Sequence, residues 1–348
     1  MRILYVNFIN NVWGHKRLDI NLIKYLSTFA NVTVISPEGW YDDLPSDVNV
    51  VFYQPPEPNF IKGPRKTHYY SLKIMQFAMK IDRTEKFDYI IAATFNTAIF
   101  SLGRLLFKNL NRFYIVHHYN TDTLEKKKLN FLFSTYVNKV KHIVFEDFIS
   151  NYLIKKYDLN DKDVLVVPHP LYKNNKTTSI NKYICVGLSN SNDEDLINLL
   201  IDIEVKEGII QKRRLPIVLR SKTRTFDNGY LKVIEGYIEK NEYDEYINNT
   251  SSVFLAFPKD FKYRMSGTLI DALSNGKIVI GTDIPLMRSY SRKYPKICYV
   301  IKNVNDIFEI LKIINDINKE ELEREFNKFE NDHSKEKIIS ILENEFSK

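Results

Sequence analysis

The residues best suited to chemistry lie between positions 263 and 277. The run reads Tyr263-Arg264-Met265-Ser266-Gly267-Thr268-Leu269-Ile270-Asp271-Ala272-Leu273-Ser274-Asn275-Gly276-Lys277, and it follows an apolar stretch ending at Phe257-Pro258. Ser266 is a natural helix N-cap, and Gly267 lets a ligand come close to the backbone. The N–H groups of Gly267, Thr268 and Leu269 then face an anion, assisted by the helix dipole. A diphosphate is the guest such a site expects. Asp271 follows about one and a half turns along the helix. A carboxylate there is placed to accept two hydrogen bonds from vicinal hydroxyls such as those of a ribose. Asn275-Gly276 closes the helix through a left-handed turn.

Further candidates sit where apolar runs end. His117 and His118 follow Arg112–Val116, and Glu146 follows His142–Phe145. In open α/β sheets the strand ends face the ligand. His118 is therefore placed to hydrogen-bond a donor sugar or an acceptor, and Glu146 is a similar strand-end candidate. The histidines show neither HExxH nor Cys/His ligand spacing, so no metal site is expected.

At this level the segment resembles the donor-binding signature of the retaining GT-B glycosyltransferases of family four. In that family two glutamates stand at the places of residues 263 and 271, and the second opens an E-A-x-x-x-G-K-P-V-I run. Here Asp271-Ala-Leu-Ser-Asn-Gly-Lys-Ile-Val-Ile280 takes its place with a shorter carboxylate, and Tyr263 replaces the first acid. Capsule-type relatives with an Arg-x-Ser-Gly version resemble the chain more closely. The resemblance implies that Asp271 holds the ribose and that Tyr263 or Arg264 takes over at the sugar-contacting position. With His118 these form the expected catalytic set. It further implies that Arg220 and Lys222, in Leu219–Arg224, offset charge on the leaving diphosphate without a metal. Tyr237 and Ile238 fall where the nucleotide base packs. Gly14 matches the loop facing the donor phosphates, His15 beside it lies on the acceptor side with Glu146, and Pro168-His169-Pro170 matches the domain-connecting turn. Asp193-Glu194-Asp195 has the Asp-x-Asp form of the other glycosyltransferase fold, but it falls at a predicted helix start, where acids suit the dipole.

The elements that must position these residues alternate. Arg2–Asn7, Val32–Ser36, Tyr89–Ala93, Arg112–Val116, His142–Phe145 and Val164–Val167 read as strands, with helices expected from Leu18, Ala98 to Leu106, Leu129 to Val140, and Ile149 to Tyr157. The polar stretch after Pro170 marks a domain junction. The grammar then restarts with strands at Tyr183–Val186, Leu215–Leu219, Tyr230–Ile234, Ser252–Phe257 and Ile278–Ile280. The expected fold is α/β of GT-B type, two Rossmann-like domains facing a central cleft: an acceptor domain over 1–172, a nucleotide-sugar domain over 173–325, and a C-terminal helix over 326–348 packing back on the first.

A chain of 348 residues, 44% apolar and 27% charged, suits two such cores. Two cysteines, both in apolar runs, exclude a disulfide framework and favour the cytoplasm. The N-terminus lacks a signal-peptide pattern, and no stretch is long enough to span a membrane. The net charge of +7 lies mostly in the first half. Lys62, Arg65, Lys66, Lys73 and Lys80 form one group, Arg104, Lys108 and Arg112 a second, and Lys126–Lys128 a third. This surface suits anionic headgroups at the inner membrane face or a phosphate-bearing acceptor. No nucleic-acid module is present.

The expectation is transfer of a hexosyl or N-acetylhexosaminyl group from a UDP- or GDP-linked sugar to a saccharide, lipid-linked or part of a surface polysaccharide. Transfer is expected to retain the anomeric configuration and to need no cofactor. A non-catalytic homologue serving as partner or acceptor-binding subunit is the alternative. A Rossmann dehydrogenase is disfavoured, since Asn7–Trp13 contains no GxGxxG.

Overall fold

The computed structural model describes residues 1–9, 15–41, 43–58, 61, 63–172 and 181–348. The chain forms two compact units. The first comprises Met1–Pro170, Tyr263–Met265 and His333–Lys348; the second comprises Leu171–Lys262 and Ser266–Asp332.

The first unit opens with β1 (Arg2–Asn7), α1 (Lys16–Leu26), β2 (Asn31–Ser36), β3 (Asn49–Phe52), α2 (Pro64–Glu85), β4 (Tyr89–Thr94) and α3 (Thr97–Gly103). It continues through β5 (Phe113–Val116), α4 (Asn120–Thr123), α5 (Lys127–Ser134), β6 (Lys141–Val144), α6 (Asp147–Tyr157) and β7 (Val164–Val166). The strands run parallel in the order β3-β2-β1-β4-β5-β6-β7, with Tyr5 opposite Val34 on one side and Ile91 on the other. Helices cover both faces of such a sheet, so Ile3 to Val6 are all buried and read as a continuous apolar run. Leu4, Val6, Ile90, Ala92, Phe113 and Ile115 pack on one side with Ile74, Met75 and Ala78 of α2 and with Phe100 of α3. Gly103 lets α2 and α3 approach closely: a Cβ there would sit 2.5 Å from the Met75 sulfur and force that side chain to move.

The helix expected from Leu129 to Val140 is broken. The Ser134 hydroxyl donates to the Phe131 carbonyl and the Thr135 hydroxyl to the Leu132 carbonyl, each at 2.7 Å, and a 3₁₀ turn over Val137–Lys139 follows. Hydroxyls that capture nearby carbonyls compete with helix continuation.

The second unit contains β8 (Tyr183–Gly187), α7 (Glu194–Glu207), α8 (Ile209–Lys212), β9 (Ile217–Ser221), β10 (Phe226–Asp227) and β11 (Leu231–Glu235). Then come α9 (Lys240–Asn248), β12 (Thr250–Leu255), α10 (Gly267–Ser274), β13 (Ile278–Thr282), α11 (Pro285–Lys293), β14 (Cys298–Ile301), α12 (Asn305–Asp316) and α13 (Lys319–Asp332). The order is β10-β11-β9-β8-β12-β13-β14, parallel except for the short edge strand β10. The chain runs from β8 toward β9 and later to β12 on its other side, so the crevice of this sheet opens between β8 and β12. Gly187, ending β8, lies so near its neighbours that a Cβ would meet the Leu219 side chain at 2.8 Å and the Phe254 carbonyl at 3.1 Å.

The tail expected as one helix is divided between the units. α13 belongs to the second, and α14 (Lys335–Phe346) belongs to the first. Glu345 of α14 accepts from the Tyr114 hydroxyl and the Lys141 ammonium, each at 2.7 Å, and Phe346 packs its ring on Tyr114 and Tyr89. No helix among the described residues is long and apolar enough to cross a membrane.

Candidate functional site

In the second unit the site is built on the start of α10. Ser266 is extended and its hydroxyl accepts the Leu269 N–H at 3.2 Å, the geometry of an N-cap. The N–H groups of Gly267 and Thr268 find no partner among the described residues. Open space surrounds Gly267, where a Cβ would meet nothing within 4 Å. Asp271 is buried on the same helix. Its carboxylate accepts from Asn275 Nδ2 at 3.3 Å and is hydrogen-bonded to the Tyr243 hydroxyl, which also bonds Thr268. Burial and then the Asp271 charge push the Tyr243 phenol far above its usual range, so it donates to Asp271 at any working pH. A carboxylate offers about four lone-pair positions, so acceptor capacity remains for a ligand. Gly276 closes the helix at φ +68°, and Asn275 ties Asp271 to the Tyr172 carbonyl.

Arg220 and Lys222 end β9. Arg220 is buried, its Nε donating to the Gly236 carbonyl and its Nη1 reaching the Ser189 carbonyl at 3.4 Å. It thus stands beside the loop bearing Tyr237, which is exposed, and Ile238, which is buried. Lys222 is exposed. Its backbone N–H donates to the Glu194 carboxylate at 3.0 Å and its Nζ lies 3.5 Å from the Asn192 carbonyl. Asn192 braces the crevice by donating to the Gly187 and Arg220 carbonyls. Asp193 is the N-cap of α7, its side chain accepting from the N–H groups of Asp195 and Leu196.

In the first unit, His118 Nε2 donates to the Ala93 carbonyl at 2.9 Å, which puts the proton on Nε2 and leaves Nδ1 an acceptor. Its ring stacks on His15 at 3.8 Å between centroids. Burial, then the charge that His15 would carry, keeps the His118 imidazole neutral. Burial alone lowers His15 to about 4. Gly14, next to His15, lies outside the described residues. Glu146 is buried at the N-cap position of α6. His117 is consumed internally: it bonds His142 Nδ1 and Asn120 Nδ2, both at 2.9 Å, while His142 Nε2 donates to the Val137 carbonyl.

Tyr263 and Arg264 belong to this first unit. Asp122, in the short helix α4 that follows His118, accepts the Tyr263 N–H at 2.5 Å and pairs with Arg264 Nε at 2.9 Å. The Thr121 hydroxyl donates to the Tyr263 carbonyl, and the Tyr263 ring stacks on Tyr152 at 3.6 Å. His15, His118, Glu146, Tyr263 and Arg264 therefore share one unit, and Arg220, Lys222, Tyr237, Ile238, Ser266, Gly267, Thr268 and Asp271 share the other.

Sequence reasoning missed Tyr243 and Asp122. Tyr243 sits on α9, remote in sequence from Asp271, and no local spacing signals it. Asp122 was reachable by the strand-end rule that singled out His118.

No protein-family model matches the chain, and no curated protein matches it in sequence. Solved structures do match. A glycosyltransferase of Rickettsia africae superposes with a TM-score of 0.66 at 13% identity, covering 99% of this chain and 97% of that one. Sucrose-phosphate synthase of Thermosynechococcus elongatus gives a TM-score of 0.66 at 9% identity, with 99% and 98% covered. A variant of S. aureus TarM, in complex with fondaparinux, α-GlcNAc-glycerol and UDP, gives 0.57 at 17% identity, with 80% of this chain and 59% of that one covered. The two parallel-sheet Rossmann-like units thus have the fold of GT-B glycosyltransferase structures.

Proposed function

We propose that the chain transfers a hexosyl or N-acetylhexosaminyl group from a nucleoside-diphosphate sugar to a saccharide hydroxyl, with the donor's nucleotide held by the second unit. The start of α10 carries this reading: two N–H groups without a partner among the described residues, an unobstructed Gly267, and the buried Asp271 braced by Tyr243. The diphosphate lies on the N–H groups and the ribose hydroxyls donate to Asp271. Lys222 and Arg220 supply positive charge to the leaving diphosphate, which makes a metal unnecessary. UDP is the first nucleotide to try, because TarM has been solved with it.

On the other unit, neutral His118 and His15 suit an uncharged saccharide hydroxyl, and Glu146 at the start of α6 is a further acceptor-side candidate. The leaving diphosphate takes the acceptor's proton in a retaining transfer, so no side-chain base is demanded. The acceptor is lipid-linked or a surface polysaccharide, met at an anionic membrane. Exposed Leu102, Leu105 and Phe131 belong to the stretch from α3 to α5, helices that contact each other, and the same stretch carries exposed Lys108, Lys126, Lys127 and Lys128. Apolar tips among lysines suit the boundary of an anionic bilayer.

Tyr263 favours a second reading. Its ring is stacked on Tyr152 and no carboxylate occupies that position, which fits a donor-binding homologue without turnover. Radiolabelled UDP- and GDP-sugars incubated with lipid-linked and soluble saccharide acceptors separate the two. The enzyme reading expects nucleoside diphosphate release that Asp271→Ala abolishes. Binding without release for any acceptor would establish the second reading instead.

A further inference from the structure

We propose that the second unit carries another binding pocket, apart from α10, for a single-chain amphiphile with a carboxylate head. A cavity of about 480 Å³ lies between α7 and the start of α12, at the ends of β12, β13 and β14. Its apolar wall is Leu196, Leu199 and Ile203 of α7 with Ile284, Ile301 and Val304 opposite. No residue of α10 lines it. α7 and α12 pack together on one face of the sheet through Ile197, Leu200, Ile307 and Phe308, and the buried residues of α10 lie outside that cluster.

The volume sets the size of the guest. At about 30 Å³ for each water-sized group, the cavity has room for roughly sixteen of them, comparable to the number of carbons in a long acyl chain. It also falls within the range of ordinary ligand pockets, about 300–1,000 Å³. Leu199 is 47% exposed, and an apolar side chain at a cavity mouth is covered by an apolar guest.

The rim sets the sign of the head group. Two cations line it, Lys259 and Lys302, both exposed; neither is within salt-bridge distance of a described carboxylate, and the charge of Lys302 also acts on Asp306. The two acids there are already engaged. Asp193 caps α7, and Asp283 pairs with Arg288 at 2.8 Å. The start of α12 is likewise occupied, since Asn303 Oδ1 accepts the N–H groups of Asn305 and Asp306, at 3.0 and 3.3 Å. An anionic head therefore meets the two ammonium groups, and the tail lies along α7.

Titration of the full chain with cis-parinaric acid, read by its fluorescence, tests this. Saturable one-to-one binding in the micromolar range is expected, unchanged by saturating UDP. Leu199→Trp fills the mouth and abolishes it. The surface double change Lys259→Glu, Lys302→Glu weakens it by about tenfold or more, as does replacing the probe by its methyl ester. An unchanged melting temperature shows that each variant is folded. Absence of saturable binding, binding indifferent to Leu199→Trp and to the charge reversal, or displacement by UDP would each overturn the proposal.

Discussion

The two units share one grammar of parallel strands and crossover helices but furnish their strand ends in opposite ways. All seven histidines belong to the first unit and none to the second. In the first, the strand ends close upon themselves. His117, His142 and Asn120 satisfy one another, and Asp19 accepts from Tyr5 at 2.7 Å, from Asn7 at 2.9 Å and from Tyr41 at 3.0 Å. In the second, the start of α10 leaves backbone N–H groups without a partner among the described residues, beside an unobstructed glycine. Neutral imidazoles suit uncharged hydroxyls, whereas free N–H groups at a helix start suit an anion. The fold fixes where a ligand sits; the loop residues fix which ligand.

The largest effect that would break this contrast is acid stability. Burial lowers the pKa of His15, His117, His118, His142 and His169, to about 4 for His15 and about 3 for His169. Below about pH 6.5 the unfolded chain binds protons that the folded unit refuses, so stability is lost as pH falls from there toward 4. His15 alone accounts for about 3 kcal/mol over that span. Asp19 works the other way. Burial raises it to about 6 against the hydrogen bonds from Asn7, Tyr5 and Tyr41, so its contribution is present below about pH 4 and lost as pH rises through 6. Five imidazoles outweigh one carboxyl, and the first unit unfolds first on acidification. Both tryptophans, Trp13 and Trp40, lie in its span, so their fluorescence should report the transition while amide exchange in β12 and β13 stays protected. Simultaneous loss of both signals would erase the difference between the units.

Next in size is Gly267→Asp. The new Cβ meets nothing, so the melting temperature should hold, while a carboxylate now occupies the proposed diphosphate position. Affinity for a nucleoside diphosphate, measured by calorimetry, should fall at least about 100-fold, or about 3 kcal/mol. A smaller change, Tyr243→Phe, removes one hydrogen bond to Asp271 and should cost about tenfold in nucleotide affinity. An effect confined to stability would make Tyr243 a packing residue only.

Much of this was legible in the sequence, for identifiable reasons. Buried parallel strands read as apolar runs, so β1, β2, β4, β12 and β13 stand out, and the cap, glycine and carboxylate of α10 lie within one local segment. The long helix α2 did not stand out. Its start signal is present, a Gly63 at φ +64° before Pro64 at the first helical position, but tyrosines and lysines dilute the periodicity of its apolar face. The edge strand β10 is two residues long, too short for alternation to register. The roles of Tyr263 and Arg264 were hidden because their partners Asp122, Thr121 and Tyr152 are remote in sequence. Proximity that only folding creates leaves no spacing to read.

The central claim is that the nucleotide rests on the second unit, at the start of α10. Amide hydrogen exchange with and without saturating UDP or GDP tests it directly. The account predicts slowed exchange in peptides spanning 266–271 and 220–222. Nucleotide binding that leaves both peptides unchanged and protects only elsewhere, or no binding to wild-type protein at millimolar nucleotide, would contradict it.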